Sequence, residues 1–351
     1  MTETKYFARE ITLSPRSKPP GAKFPGKIAY WTFGSASHPA VVLPSCFGGD
    51  LATTTSFLYS SENGNADPPL PPSKFFIVVL GQMGGGESAS PSNTPSPWNG
   101  PNFPHLTYED NIRLQHTLLT EELGLEKVFA YIGFSMGGQQ AYHMASLFPD
   151  FVDNAVCLAG SARTSQHNWS FLEGPRLALE TSHDFQDGHY AEQPACGIKA
   201  FNRVYATWAL CPEWFRRTCW DTLGFATLQD YLEAEWTHGL DANDALRLLW
   251  MWQDGDIAVY RPEDQGSLPK ALGRIKARVL VMPSRTDMYF PPEDSQEEVT
   301  HLKRGELRVI ESIWGHMAGG GGGTRADDDY VKAEIKRFLL EPGDLKLTIR
   351  E

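Results

Sequence analysis

The sequence predicts an α/β fold in which a mostly parallel central sheet carries helices on both faces and a helical lid is inserted before the last strands. Three observations predict it. Short apolar runs at 40–43, 75–80, 127–132, 155–160, 277–282 and 307–310 have the β-branched and aromatic content of buried strands. Helix-like runs alternate with these strands, which is the pattern of a parallel sheet. Between about 164 and 269 the alternation stops, and the segment carries Trp169, Trp208, Trp214, Trp220, Trp236, Trp250 and Trp252 at helix-like spacing with no convincing buried strand.

Taken in order, residues 1–26 are polar and dotted with prolines, and they read as a loosely held N-terminal arm. The core is formed by 27–163 and 270–351, and the inserted helical lid by 164–269. Residues 27–33 alternate enough for an early strand, and 40–43 is a short buried one. The strand at 75–80 leads into a stretch from 81 to 104 crowded with Gly, Ser, Pro and Asn, and a loop of that length is usually functional. Thr107 can cap a helix that has Glu109 and Asp110 in its first turn, buries Ile112, Leu118, Leu119 and Leu123, and ends at Gly124. An amphipathic run at 330–340 closes the core.

The 351 residues suffice for one large domain with an insertion or for two domains, and 41% hydrophobic with 21% charged residues is ordinary globular composition. No apolar run approaches the roughly 18 residues of a membrane span. The first residues lack the apolar stretch of a secretory signal, and Ile349-Arg350-Glu351 is not a peroxisomal address, so a cytoplasmic protein is expected. Cys46, Cys157, Cys196, Cys211 and Cys219 are odd in number and lack metal-ligand spacing, so they read as reduced thiols. Neither a metal nor a bound cofactor is expected. A net charge of -12 argues against nucleic acid and anionic membranes as partners.

The organising stretch is 131–138, Tyr-Ile-Gly-Phe-Ser-Met-Gly-Gly, a G-x-S-x-G motif between a strand-like run and a helix-like one. On the helical side Ala141, Met144, Ala145 and Phe148 share a face, and Pro149 stops the run. A serine on so tight a strand-to-helix turn is held in a strained backbone with its hydroxyl exposed, and the flanking glycines remove side chains that would clash. The helix N-terminus aims free N–H groups at the place where an oxyanion would form. Ser135 is therefore the candidate nucleophile. The loop at 44–50, Pro-Ser-Cys-Phe-Gly-Gly-Asp, follows an early strand and is placed to give a second oxyanion donor.

A serine hydroxyl needs an imidazole to take its proton, and the imidazole needs a carboxylate to orient it. On this kind of sheet the acid and then the base come in loops after late strands. Asp287 follows the strand at 277–282 and is the candidate acid; His316 follows the strand at 307–310 and is the candidate base. His143, in the elbow helix, and His301, in a polar helix-like run, are better explained structurally.

These residues resemble the homoserine O-acetyltransferase branch of the α/β-hydrolase superfamily, over about 40–340. The resemblance is carried by the elbow at 134–138, by Asp287 with Phe290-Pro291-Pro292, and by Gly315-His316. Phe103-Pro104 before the helix opening at 107–110, the segment at 162–165 with Asn168, Phe171 and Arg176, and the lid stretch at 240–243 add less generic matches. It implies the α/β-hydrolase fold and an acyl group held on Ser135 and passed to an acceptor. It also implies that Phe47 and Met136 donate the oxyanion-hole N–H groups and that Arg176 grips a substrate carboxylate, a role that suits a guanidinium.

The sequence departs from that family beside the base. In the family an Asp follows the catalytic His and binds the amino group of homoserine, whereas Met317 stands here. An ammonium without its counter-charge in a desolvated pocket loses roughly 2 to 5 kcal/mol. Five consecutive glycines, 319–323, follow and read as a flexible run, and Ala245 replaces a family tyrosine. The expected function is a serine hydrolase cleaving an ester or other acyl bond of a small, largely apolar metabolite, with water deacylating Ser135. An O-acetyltransferase moving acetyl from acetyl-CoA, as co-substrate, to a small alcohol is the close alternative, and a non-catalytic binding protein on the same fold is a third. The expected partner is a small-molecule acyl substrate; the oligomeric state, a homodimer included, is left open.

Overall fold

The computed structural model describes residues 3–58, 68–237 and 239–340. Residues 341–351, at the end of the expected core segment and including Ile349-Arg350-Glu351, lie outside the described residues, as do the first two of the expected arm. The strands are β1 (Lys5–Thr12), β2 (Lys23–Phe33), β3 (Ala40–Pro44), β4 (Phe76–Leu80), β5 (Val128–Phe134), β6 (Val152–Leu158), β7 (Arg278–Met282) and β8 (Gly305–Leu307). They form one sheet in the order β1-β2-β4-β3-β5-β6-β7-β8. From β4 through β8 every neighbouring pair is parallel, while β1 with β2 and β2 with β4 are antiparallel. Every residue of β3, β4 and β7 is buried, because helices flank the sheet, and this is why those strands are apolar throughout apart from Arg278 at the start of β7.

Residues 3–26 are not a loose arm. Lys5–Thr12 pairs residue by residue with the first part of β2, which starts at Lys23 rather than at 27. The composition looked loop-like because β1 is a sheet edge: Phe7 is buried, while Lys5, Arg9 and Glu10 are charged and exposed, a pattern that blunts edge-to-edge association. Beyond the strand, Ser14 N–H donates to Asp110 Oδ1 at 2.7 Å, tying the segment to the start of α1 (Tyr108–Thr117). That helix opens with the expected cap. Asp110 N–H donates to Thr107 Oγ1 at 3.3 Å and Thr107 N–H to Asp110 Oδ2 at 2.8 Å. Its last turn widens into a π-turn at Leu118–Glu122 before Gly124, where φ is +65°.

α2 (Met136–Leu147) packs against β5 and β6. Between β6 and β7 lie α3 (Gln166–Glu180), α4 (Ala195–Ala209), α5 (Pro212–Arg216), α6 (Leu228–Glu235), α7 (Ala242–Gln253) and α8 (Leu268–Leu272). The tryptophans of this segment serve different ends, and Trp169 is exposed. Trp214 and Trp252 are fully buried among other rings, whereas Trp236 borders a cavity. The long stretch 81–104 is an anchor for α7: Ser92 donates from N–H and Oγ to Asp244 at 2.9 and 2.6 Å, and Arg247 donates to the carbonyls of Phe103 and Pro101 at 2.9 and 2.6 Å. The last strand is shorter than its apolar run. β8 ends at Leu307 and Ile310 makes only an isolated bridge to Ser284, which frees the following loop to turn toward the elbow. α9 (Pro292–His301) and α10 (Arg325–Leu340) complete the core.

Candidate active site

The turn from β5 to α2 is as tight as its glycines allow. A Cβ on Gly133 would lie 2.0 Å from the Gly137 carbonyl oxygen, so that position accepts no side chain, and one on Gly137 would press on the Pro44 carbonyl at 3.0 Å. Between them Ser135 adopts φ +56° and ψ -124°, a strained conformation for a residue with a Cβ. Its N–H donates to the Leu158 carbonyl at 2.8 Å, which pins the strained residue to the end of β6.

Two late loops converge on this hydroxyl. Asp287, after β7, accepts from the N–H groups of Tyr289 and Phe290 at 2.8 and 3.1 Å through Oδ1, an Asx turn that fixes its carboxylate. Its Oδ2 accepts from His316 Nδ1 at 2.7 Å. Gly315 makes the final bend with φ +56°; a Cβ there would sit 2.4 Å from the Ala209 carbonyl, and its N–H donates to Thr286 Oγ1 at 3.1 Å. With Nδ1–H engaged by the carboxylate, His316 Nε2 presents a lone pair, and Ser135 Oγ lies 2.9 Å from it. The rings of Phe134, Tyr289 and Phe290 surround the imidazole at centroid distances of 4.7, 4.8 and 5.6 Å, and Ser135, Asp287 and His316 are at most 4% exposed. Such a setting strengthens each of these hydrogen bonds.

Ser135 and His316 open into a cavity of about 260 Å³ whose walls include Phe47, Phe201, Tyr205, Trp236, Tyr289 and Met317. Among the described residues that line it there is no lysine or arginine; the one carboxylate is that of Glu235, an exposed residue. Phe47 follows β3 and stacks on Tyr205 at 5.2 Å. Met136 is the first residue of α2, so its N–H precedes the helical hydrogen-bond ladder. Ala245 and Met317 both border the cavity.

Arg176 is not brought to Ser135. It sits on α3 and donates from Nε and Nη2 to Glu173 at 2.9 and 2.6 Å, with Nη1 on Glu180, in a separate groove that Arg247 and Trp250 also line. Acids three residues before it and four after it share its helix face, which is enough to hold the guanidinium there. The glycine run is not a loose linker either. Gly315–Gly320 forms a 3-10 turn, Gly319 and Gly320 lie against Phe134, and Gly323 packs on Asp327, whose carboxylate accepts from Thr324 N–H at 2.8 Å. His143 stacks on Tyr108 at 4.3 Å and bonds Tyr260, with burial pushing its imidazole down to about 3; His301 pairs with Glu297 at 2.9 Å. The cysteines are all free. One described cluster, His183, Asp184 and Cys196, brings metal-ligating atoms within 4.8 Å of one another, but it lies outside the cavity and Asp184 is occupied by the N–H groups of Cys196 and Gly197 at 2.7 and 3.2 Å.

Two residues escaped the sequence reading. Gln139 and Gln140 are fully buried on α2, where Gln139 accepts from Tyr108 Oη at 2.8 Å and Gln140 donates to the Ser45 carbonyl at 2.9 Å. Adjacent glutamines near the start of a largely apolar helix were the available signal, since buried amides are kept only where they are hydrogen-bonded.

A family model described as alpha/beta hydrolase fold matches residues 39–187. Over 309 residues the chain is 36% identical to an ethyl acetate hydrolase of Pseudomonas veronii, covering 86% of each protein. The chain belongs to the α/β-hydrolase family. This α/β-hydrolase is also 29% identical to a homoserine O-acetyltransferase of Bradyrhizobium diazoefficiens, over 84% of its own length and 81% of that protein. The solved structure of the acetyl esterase MekB superposes on it with a TM-score of 0.89 at 30% identity, over 97% of both chains. The α/β-hydrolase is thus an enzyme with esterase and acyltransferase relatives, and none of its described helices is long and apolar enough to cross a membrane.

Proposed function

We propose that this α/β-hydrolase is a serine esterase that cleaves small, uncharged, largely apolar carboxylic esters through an acyl-enzyme on Ser135. The observation that carries this is the hydrogen-bonded series from Ser135 through His316 to Asp287, at 2.9 and 2.7 Å, at the wall of a cavity whose described lining holds no cation. Ser135 Oγ attacks the ester carbonyl as His316 Nε2 takes its proton. Asp287 stabilises the imidazolium that forms. The N–H groups of Phe47 and Met136 receive the negative oxygen, each donor of this kind supplying about 2.7 to 4 kcal/mol. His316 then protonates the departing alcohol, and water, activated by the same nitrogen, releases the acid and restores Ser135. A cavity of about 260 Å³ suits a small ester, in keeping with the ethyl acetate hydrolase and acetyl esterase among its relatives. Five unpaired thiols suit residence in the reducing cytoplasm.

The transferase alternative draws support from the homoserine O-acetyltransferase relative. Against it, the cavity has Met317 beside His316, which gives no counter-charge to an amino-acid acceptor there. The deciding experiment supplies ethyl acetate and p-nitrophenyl acetate, and separately acetyl-CoA with a panel of alcohols. Acceptor-independent hydrolysis, with fluorophosphonate labelling that disappears in Ser135→Ala, is the expected result. Thiol release that depends on the alcohol makes the protein a transferase, and absence of both turnover and label makes it a binding protein.

A further inference from the structure

Two features of the sequence meet in the fold: the residue before the nucleophile and the glycine run after the base. Beside the Ser135 cavity lies a second one of about 210 Å³, bordered by Leu43, Pro44, Ile132, Gly133 and Gly320 among others. Neither Ser135 nor His316 lines it. Cys46, Phe47, Gly48 and Phe134 line both, so these four residues are the wall between the two spaces. Three of them belong to the loop that carries the Phe47 amide. The one ring from the elbow is Phe134, which is half-buried.

Phe134 is held in that wall from two sides. Its ring lies 4.7 Å from the His316 ring, and the chain opposite it is glycine: a Cβ on Gly320 would meet Phe134 Cε1 at 2.5 Å, and one on Gly319 would meet Cε2 at 3.2 Å. Such separations lie below ordinary carbon contact, so side chains at 319 and 320 would push the ring out of place. The glycine run therefore gives Phe134 its seat.

The direction of a bound ester follows from the chemistry. His316 must hand its proton to the alkoxy oxygen, so the alcohol part runs into the cavity that His316 lines, which leaves the acyl chain to the side of the elbow and the Phe47 loop, the residues that border the second cavity. We propose that Phe134 is a specificity-determining residue: a partition that closes the second cavity to the acyl chain and restricts the enzyme to short acyl groups. This rests on the assignment of Ser135 as the acylated residue. Without the ring the two cavities join, and the acyl chain gains about 210 Å³ lined by Leu43, Pro44 and Ile132.

The test compares kcat/KM for p-nitrophenyl acetate, butanoate, hexanoate and octanoate, and for ethyl, butyl and hexyl acetates, in the wild type, Phe134→Ala and Phe134→Leu. A methylene accepted or refused by an apolar pocket is worth about 10- to 200-fold. The wild type is expected to turn over the hexanoate at least about tenfold less efficiently than the acetate. Phe134→Ala should raise the hexanoate-to-acetate ratio at least about tenfold, Phe134→Leu should raise it less, and the alcohol series, whose cavity Phe134 also borders, should rise less than the acyl series. Equal wild-type efficiency on acetate and hexanoate overturns the proposal, and this needs no variant to fold. An acyl ratio unmoved in a folded variant, or a gain in the alcohol series equal to that in the acyl series, also overturns it. Fluorophosphonate labelling of wild-type Ser135 separates the two inferences: loss of label removes the acyl-enzyme, whereas label with an unmoved ratio removes only the partition.

Discussion

Gln140 Nε2 donates to the Ser45 carbonyl at 2.9 Å, so one buried amide joins the elbow helix to the loop that carries Phe47. The same nitrogen donates to Gln82 Oε1 at 3.1 Å, and Gln140 Oε1 accepts from Asn111 and Gln115 at 3.0 and 2.7 Å. This bond ties the loop of Phe47 to the helix that begins at Met136, the two residues whose amides are proposed to receive the oxyanion. Gln140→Leu should lower kcat for p-nitrophenyl acetate by about 10- to 100-fold and leave KM within about threefold, because the loss is felt where the oxyanion forms. Steady-state kinetics on the folded variant check this, and an unchanged kcat would sink it.

Ser135→Ala and His316→Ala should each reduce turnover by about three orders of magnitude or more, and the double variant should be scarcely worse. The two act on a single proton transfer, and removing either stops it. Multiplicative losses in the double variant would break the assignment.

Arg176→Ala should leave KM unchanged for both neutral and carboxylate-bearing esters, since its partners are Glu173 and Glu180 on its own helix. Partly exposed pairs of this kind are worth about 0 to 1 kcal/mol, which bounds the change in stability. A KM that rises for anionic esters alone would return Arg176 to the substrate site.

Met317→Asp places a carboxylate in the cavity beside His316. A charge-assisted hydrogen bond contributes about 1.5 to 3 kcal/mol, so kcat/KM for an amine-bearing ester relative to its neutral isostere should rise by about tenfold or more. An unchanged ratio in competition assays refutes it.

Burial pushes the Glu298 carboxyl up from 4.5 to about 8, beneath the Ala162 N–H that it accepts at 2.8 Å. The sign follows. The folded state holds this proton at pH values where the unfolded chain has released it, so stability falls as pH rises between those two values, by up to about 1.4 kcal/mol per unit. Melting temperatures of the wild type should decline across that window, and Glu298→Gln should flatten the decline. Parallel curves would show that the group does not titrate there.

Much of the site was legible because its chemistry is written locally. Gly133 and Gly137 announce the turn, and Asp287 and His316 each follow an apolar run that the sheet must bury. What was illegible depended on partners distant in sequence. β1 is a strand because β2 lies beside it, and its exposed Lys5, Arg9 and Glu10 carry no mark of that. The glycines at 319 and 320 look like slack until Phe134 is found against them. Arg176 misled for the opposite reason: a motif position suggested a remote task, while Glu173 and Glu180 were already within reach on the same helix.

The anchoring of α7 bears on how molecules come and go. Asp244 is fixed to Ser92 and Arg247 to Pro101 and Phe103, so that end of the roof is bolted to the body of the protein. Glu235, Trp236 and Gly239, just before this anchored start of α7, border the cavity. The exposed Glu235 therefore sets one negative charge on the rim of a chamber whose described lining is otherwise uncharged, which disfavours an anionic ester relative to a neutral one.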